Sequence, residues 1–154
     1  MIPNTPPAPE FPDELVALVA LSLASGIGPK LQSALLEQFG TACDVLSQPK
    51  DVLLTVNGIG PKMATSIVNP GLLDEAGLLL LECHALQVDV LDQTHRDYPQ
   101  RLREICDSPT VLYRKGVLLP QDELAIGIVG SRRCTAYGRR QAERMAASSI
   151  QGAC

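Results

Sequence analysis

"SGIGPKLQSALLEQFG", Ser25 to Gly40, contains Gly26-Ile27-Gly28-Pro29-Lys30, which recurs as Gly58-Ile59-Gly60-Pro61-Lys62 thirty-two positions later. An apolar, helix-like run precedes each copy and another follows it. The paired glycines permit a tight turn, and the isoleucine between them can plug a helix interface. Proline suits the first position of the next helix, where an N–H would have no partner. The repeat predicts two αα-hairpins, and the punctuation around them extends that reading. Asp13 can N-cap a helix running through Ser25 with Leu15, Val16, Leu18, Val19 and Leu23 apolar, and Gly40 is placed to end the helix that Pro29 opens. A short helix is predicted from Cys43 to Ser47, one from Pro49 to Val56, one from Pro61 to Val68, and one from Leu72 to Leu86.

This layout is that of a helix-hairpin-helix motif, present twice. Each second helix opens with free N–H groups, which can hold a phosphate oxygen with help from the helix dipole and from Lys30 or Lys62. Gly26, Gly28, Lys30, Gly58, Gly60 and Lys62 are therefore candidate phosphate contacts that would position nucleic acid without reading its sequence. The same residues serve equally well as the turn chemistry of a purely structural helical scaffold. Charge does not favour the first reading, because residues 1–95 hold three lysines, no arginine and eleven carboxylates, a net of −8.

From Val88 the period changes. "VDVLD" alternates, "YPQRLREI" reads as one short helix, and "TVLYRKG" and "ELAIGIVG" read as strands. The last is apolar throughout, as a buried parallel strand would be. "TAYGRRQAERMAASSI" follows as a helix with Thr135 at its N-cap and Ala142, Met145, Ala146 and Ile150 on one side. The chain divides on these grounds into a proline-rich leader (1–12), a helical domain (13–87) and an α/β segment (88–154). Residues 96–154 carry ten bases against six acids, a net of +4, which hints at an anionic partner for this part of the chain.

The turn "GIVGSRRCTAYGRR", Gly127 to Arg140, concentrates that charge. A strand, a glycine turn and a helix N-terminus form an anion site by geometry. Gly130 admits a ligand close to the backbone, Ser131 and Arg132 offer polar contacts, and Thr135, Tyr137 and Gly138 occupy the helix start, where an aromatic can stack on a base. The pattern is neither GxGxxG nor a P-loop, and no histidine lies near Ser131 to activate it as a nucleophile. No catalytic residue and no cofactor is predicted. The five cysteines include no CxxC pair and the two histidines have no ligand spacing, so no metal site is predicted and reduced, cytoplasmic thiols are the simple reading. "GLLLLE" is too short to cross a bilayer, and the leader lacks the basic and apolar regions of a signal peptide.

Two stretches, "DYPQRLREICDSPTVLYRKG" (Asp97–Gly116) and "AIGIVGSRRCTAYGRRQAERMA" (Ala125–Ala146), closely resemble the DNA-processing protein A family (DprA/Smf). The match runs through Tyr98, Pro99, Leu102, Ile105, Asp107, Pro109, Leu112, Tyr113 and Gly116, then Val129, Gly130, Ser131, Arg132, Thr135, Tyr137 and Gly138. Asp97 adjoins Tyr98, while Asp92 holds the spacing usual for the family's preceding acid. The resemblance implies a SAM-like, double helix-hairpin-helix domain followed by the beginning of a Rossmann-like domain, an α/β fold. It also implies a cytoplasmic, non-catalytic protein of natural transformation that binds single-stranded DNA through the turn at Gly130–Arg132, loads the RecA recombinase and forms homodimers. Family members continue into a second glycine-rich segment, roughly SGxAxGID, so the chain reads as a truncated copy whose residues 1–87 fold alone and whose residues 88–154 expose apolar surface. Two other functions fit the residues less fully: a helix-hairpin-helix scaffold for duplex DNA, and a nucleotide-processing Rossmann-like enzyme. The latter's PGGxGTxxE-type motif is missing.

Overall fold

The computed structural model describes residues 9–119 and 127–151, with backbone alone for 149–151. The chain divides into two compact units, Met1–Gly116 and Val117–Cys154. The first contains α1 (Asp13–Leu23), α2 (Pro29–Phe39), α3 (Ala42–Leu46), α4 (Lys50–Leu53), α5 (Pro61–Ile67), α6 (Gly71–Ala85), β1 (Asp89–Asp92), α7 (Gln100–Arg103) and β2 (Val111–Arg114). In the second, α8 runs from Ala136 to Gln151. Among the described residues no helix is long and apolar enough to cross a membrane.

Helix α1 is the centre of the first unit. Its residues Ala17 to Leu21 are all buried, as expected of a helix packed on most of its circumference. Val19 and Leu21 join Leu35, Val45, Leu53, Ile67 and Leu80 in a fully buried core. Each of those leucines contributes about 1.5–3 kcal/mol of burial free energy. Asp13 does not cap α1. Pro12 holds the cap position, and its carbonyl accepts the Val16 N–H at 3.1 Å. Asp13 and Glu14 instead lie in the first turn, where negative charge suits the dipole. Glu14 reaches across to α3 and accepts the Ala42 and Cys43 N–H groups at 2.6 and 3.2 Å. Thr41 caps the same helix through the Asp44 N–H, at 3.0 Å.

The two hairpins interlock reciprocally. Gly26 and Gly58 have φ of +83° and +90°, the left-handed region that glycine occupies without penalty. A Cβ on Gly26 would stand 3.2 Å from Met63 Cε, and one on Gly58 would stand 3.0 Å from Leu31 Cδ2. Leu31 and Met63 are repeat equivalents, so each turn receives the same side-chain position of the other hairpin. Ile27 and Ile59 are buried beneath the turns at 6% exposure each. Gly28 and Gly60 cap α2 and α5 in extended conformation, with Pro29 and Pro61 next.

Past α6 the chain turns at Gln87, at φ +56°, while the Val88 N–H reaches back to the Cys83 carbonyl at 2.8 Å. Strands β1 and β2 then pair antiparallel, Asp89 with Arg114 through Asp92 with Val111. Val90 and Val111 pack against the helical core. The compact unit thus extends to Gly116, well past the change of period at Val88.

Polar contacts hold the β1–β2 connection. Asp92 Oδ1 accepts the Thr94 N–H at 2.6 Å, the Thr94 hydroxyl at 2.5 Å and the His95 N–H at 3.0 Å. Tyr98, 3% exposed, donates to the Pro109 carbonyl at 2.7 Å, and Gln93 Nε2 bonds Ser108 and Pro109. Arg114 bridges Asp89 at 2.7 Å and Asp97 at 3.4 Å. Gly116 ends the unit at φ +92°.

The apolar run before the arginine turn departs from its sequence reading. Gly127 to Gly130 form no strand, and Ile128 and Val129 are 47% and 94% exposed. A parallel strand forms only against neighbours that take its hydrogen bonds and cover its faces, and the only pairing among the described strands is β1 with β2. Leu124 to Ile126, also read as strand, lie outside the described residues, as does most of the proline-rich leader.

Two stability predictions result. Gly58→Ala is expected to destabilise the chain by about 1–2 kcal/mol in urea unfolding, whereas Gly28→Ala, with nothing within 4 Å of a Cβ, leaves the midpoint nearly unchanged. Partial burial disfavours the Asp92 carboxylate, but the bonds from Thr94 and His95 outweigh that and hold its pKa below the usual range. Its contribution is present above the unfolded value of about 4 and is lost as pH falls through the lower folded value. The stability advantage of the native chain over Asp92→Asn should therefore shrink below about pH 4 in pH-dependent thermal melts.

Candidate nucleic-acid interface

Helix α8 carries the densest positive charge of the described chain. Arg132 and Arg133 precede it, Arg139, Arg140 and Arg144 lie on it, and all five are exposed. Glu143 is the one carboxylate among described residues 127–151, and no ion pair joins these arginines to any described residue. Among the described residues no carboxylate competes with an external anion for these guanidinium groups.

The local backbone explains why the helix starts where it does. Thr135 Oγ1 accepts the Gly138 N–H at 3.1 Å and its carbonyl accepts the Arg139 N–H at 3.1 Å. The Ala136 and Tyr137 N–H groups are left at the positive end of the dipole without an intrahelical partner. In the preceding turn, Ser131 Oγ accepts the Arg133 N–H at 3.2 Å, leaving its own proton to donate. Gly130 is not among the positive-φ residues, so its value here is space: nothing lies within 4 Å of a built Cβ. A Cβ on Gly138 would make ordinary contact with Thr135 Oγ1 at 3.5 Å. Tyr137 is 66% exposed and able to stack. Between residues 127–129 and α8 runs a groove of about 650 Å³ lined by Ile128, Val129, Gln141, Arg144, Met145 and Ser148.

The other predicted contacts belong to the first unit. The first-turn N–H groups of Lys30 and Lys62 make no intrahelical bond, and both side chains are exposed. The two hairpins nevertheless differ. Lys30 Nζ lies 3.5 Å from Asp107, whereas no described carboxylate pairs with Lys62. Gln32, two residues after Lys30, is only 5% exposed. Its Nε2 donates to the Ile27 carbonyl at 3.3 Å, inside the first turn, and its Oε1 accepts the buried Thr110 hydroxyl. The equivalent position in the second hairpin is Ala64. The first hairpin is thus tied to the segment that enters β2, and the second is not.

Sequence reasoning missed Gln32 and Thr110. The signal for Gln32 was available, since aligning the repeats sets a polar residue opposite Ala64 at a position that must face inward. Thr110 offered none.

Comparison with known proteins is consistent with this geometry. Residues 19–70 match the SAM-like helix-hairpin-helix tandem, a span that contains both interlocked turns. Residues 89–154 match DNA recombination-mediator protein A. That second match begins at β1, inside the first compact unit, and within it Tyr98 closes the β1–β2 connection on Pro109 while Asp107 pairs with Lys30 at the start of α2. No curated protein and no solved structure matches the chain. Residues 89–154, with the arginine turn and α8 in place, thus carry the sequence of the DNA recombination-mediator protein A (DprA) family behind a helix-hairpin-helix tandem.

Proposed function

We propose that the chain binds single-stranded DNA through the turn Gly130–Arg132 and the first turn of α8, as a non-enzymatic, cytoplasmic mediator of recombination during DNA uptake. The observation that carries this reading is the coincidence of five arginines that pair with no described carboxylate and a Thr135-capped helix N-terminus inside the family match. Phosphates would meet Arg132, the Ser131 hydroxyl and the Ala136 and Tyr137 N–H groups, and Tyr137 would stack on a base. Gly130 would admit the backbone of the strand. Delivery of the coated strand to RecA, and pairing of the protein into homodimers, are further parts of the proposal that rest on the family alone.

A second reading has its own observation. The two hairpins present helix starts with glycine at the cap position and no side-chain cap bond, which leaves their N–H groups open to duplex phosphates. Here Lys62 should matter more than Lys30, which shares its charge with Asp107.

A filter-binding titration of the full chain separates the two. On the first reading, Arg132→Ala weakens single-strand binding irrespective of sequence and lowers the magnitude of the salt slope by about 1. Lys62→Ala leaves that binding almost unchanged. Duplex binding lost in Lys62→Ala and indifferent to Arg132→Ala would establish the second reading instead. Gly138→Ala gives a further check. Alanine should stabilise α8 by about 0.5–1 kcal/mol, and a simultaneous loss of single-strand affinity would place the nucleic acid against that position.

A further inference from the structure

Helix α6 buries Leu72, Ala76, Leu80 and Cys83 along one stripe. Its opposite face should be polar in a helix that meets only water. Instead Leu73, Leu78 and Leu81 are 47%, 68% and 40% exposed, and Leu86 follows just past the end at 55%. Gly77 lies among them, with nothing within 4 Å of a built Cβ. At 100° per residue, Leu73 and Leu81 are its neighbours one turn before and after, and Leu78 adjoins it. The result is a low point at Gly77 between Leu73 and Leu81, with Leu78 a quarter-turn further round beside Asp74, a surface on which the side chain of a second helix can rest. A patch of this kind, bordered by charge, marks a protein-binding surface.

The border specifies the partner. Asp74, Glu75 and Glu82 are exposed on the same helix, and none forms an ion pair with a described residue. Residues 71–86 contain no lysine or arginine. The lysines of the helical region stand elsewhere, at the starts of α2, α4 and α5. Nucleic acid and anionic lipid are repelled from such a face, which separates it from the DNA-binding reading above. We propose that the outward face of α6 docks an amphipathic helix of a partner protein, with an apolar stripe seated over Gly77 and lysines or arginines flanking it to meet Asp74, Glu75 and Glu82. Apolar contact supplies the anchor, and charge supplies orientation and speed of encounter.

The test titrates the isotopically labelled full chain with a designed leucine–lysine amphipathic peptide of about 18 residues, long enough to fold on contact. A scrambled peptide of the same composition serves as control. The expected result is amide shift changes concentrated on residues 71–86 for the amphipathic peptide alone. Affinity should fall at least about tenfold in Leu78→Asp and in the double reversal Glu75→Lys/Glu82→Lys. Leu78 is mostly exposed and both glutamates are surface residues, so circular dichroism should report unchanged helicity in both variants. Equal binding of the scrambled peptide, or shift changes centred away from α6, would overturn the proposal. So would undiminished affinity in Leu78→Asp. Self-association of the chain that Leu78→Asp abolishes would also overturn it, because the occupant would then be a second copy.

Discussion

The first unit depends on a single steric exchange: each hairpin turn gives up a Cβ so that a side chain of the other hairpin can enter. Gly26 makes room for Met63 and Gly58 for Leu31, and the left-handed φ at both glycines penalises other residues on backbone grounds as well. Because the exchange is reciprocal, neither hairpin can be packed correctly without its partner. Ile27 and Ile59 then lie under the turns, and α1 finds a continuous apolar bed for Ala17 to Leu21. A repeat in sequence thereby becomes a repeat in space, and the cores of its two copies are one core.

Symmetry stops at the polar atoms. Gln32 occupies an inward position that its counterpart Ala64 fills with a methyl group, and its amide must satisfy both ends. The Ile27 carbonyl takes one end and the Thr110 hydroxyl the other. That chain of bonds joins a helical turn to the segment entering β2, across 78 positions of sequence. Tyr98, Ser108 and Gln93 close the same segment on itself. The family sequence that begins at Asp89 is in this way anchored to the helix-hairpin-helix core before the arginine turn is reached. A boundary drawn by sequence pattern and one drawn by packing need not coincide, and here they are separated by a hairpin of strands.

The helices were legible because proline and glycine act locally. Pro29 and Pro61 open α2 and α5 at their first residues, and Gly40 ends α2 at φ +95°. What was not legible depended on partners distant in sequence. Asp13 looked like a cap because its type is right, but Pro12 holds the position, and the carboxylate that caps at a distance is Glu14, on the N–H groups of Ala42 and Cys43. The apolar run ending at Val129 reads as a buried strand, yet burial requires a neighbour, which a one-dimensional pattern cannot supply, and Ile128 and Val129 are exposed. At the candidate interface the residue types were legible and their roles only partly so. Thr135 caps as expected, whereas Ser131 also braces its own turn and Gly130 serves by open space rather than by backbone strain.

Charge placement gives these pieces different tasks. Phosphate affinity is mostly electrostatic and long-ranged on the scale of a small domain. Residues 1–95, at net −8, work against the approach of nucleic acid wherever no lysine stands, and α6 has none. Residues 96–154, at net +4, favour an anion instead, and five of their ten basic residues are gathered about the start of α8. A hairpin lysine contributes one point charge against that background, and Lys30 spends part of its charge on Asp107. The five arginines pair with no described carboxylate, and a guanidinium can bind phosphate bidentately. If both regions touch nucleic acid, α8 must supply most of the affinity and the hairpins chiefly the register. On the proposed readings the acidic helical surface is left for partners of the opposite sign, and charge would keep the two kinds of binding from competing.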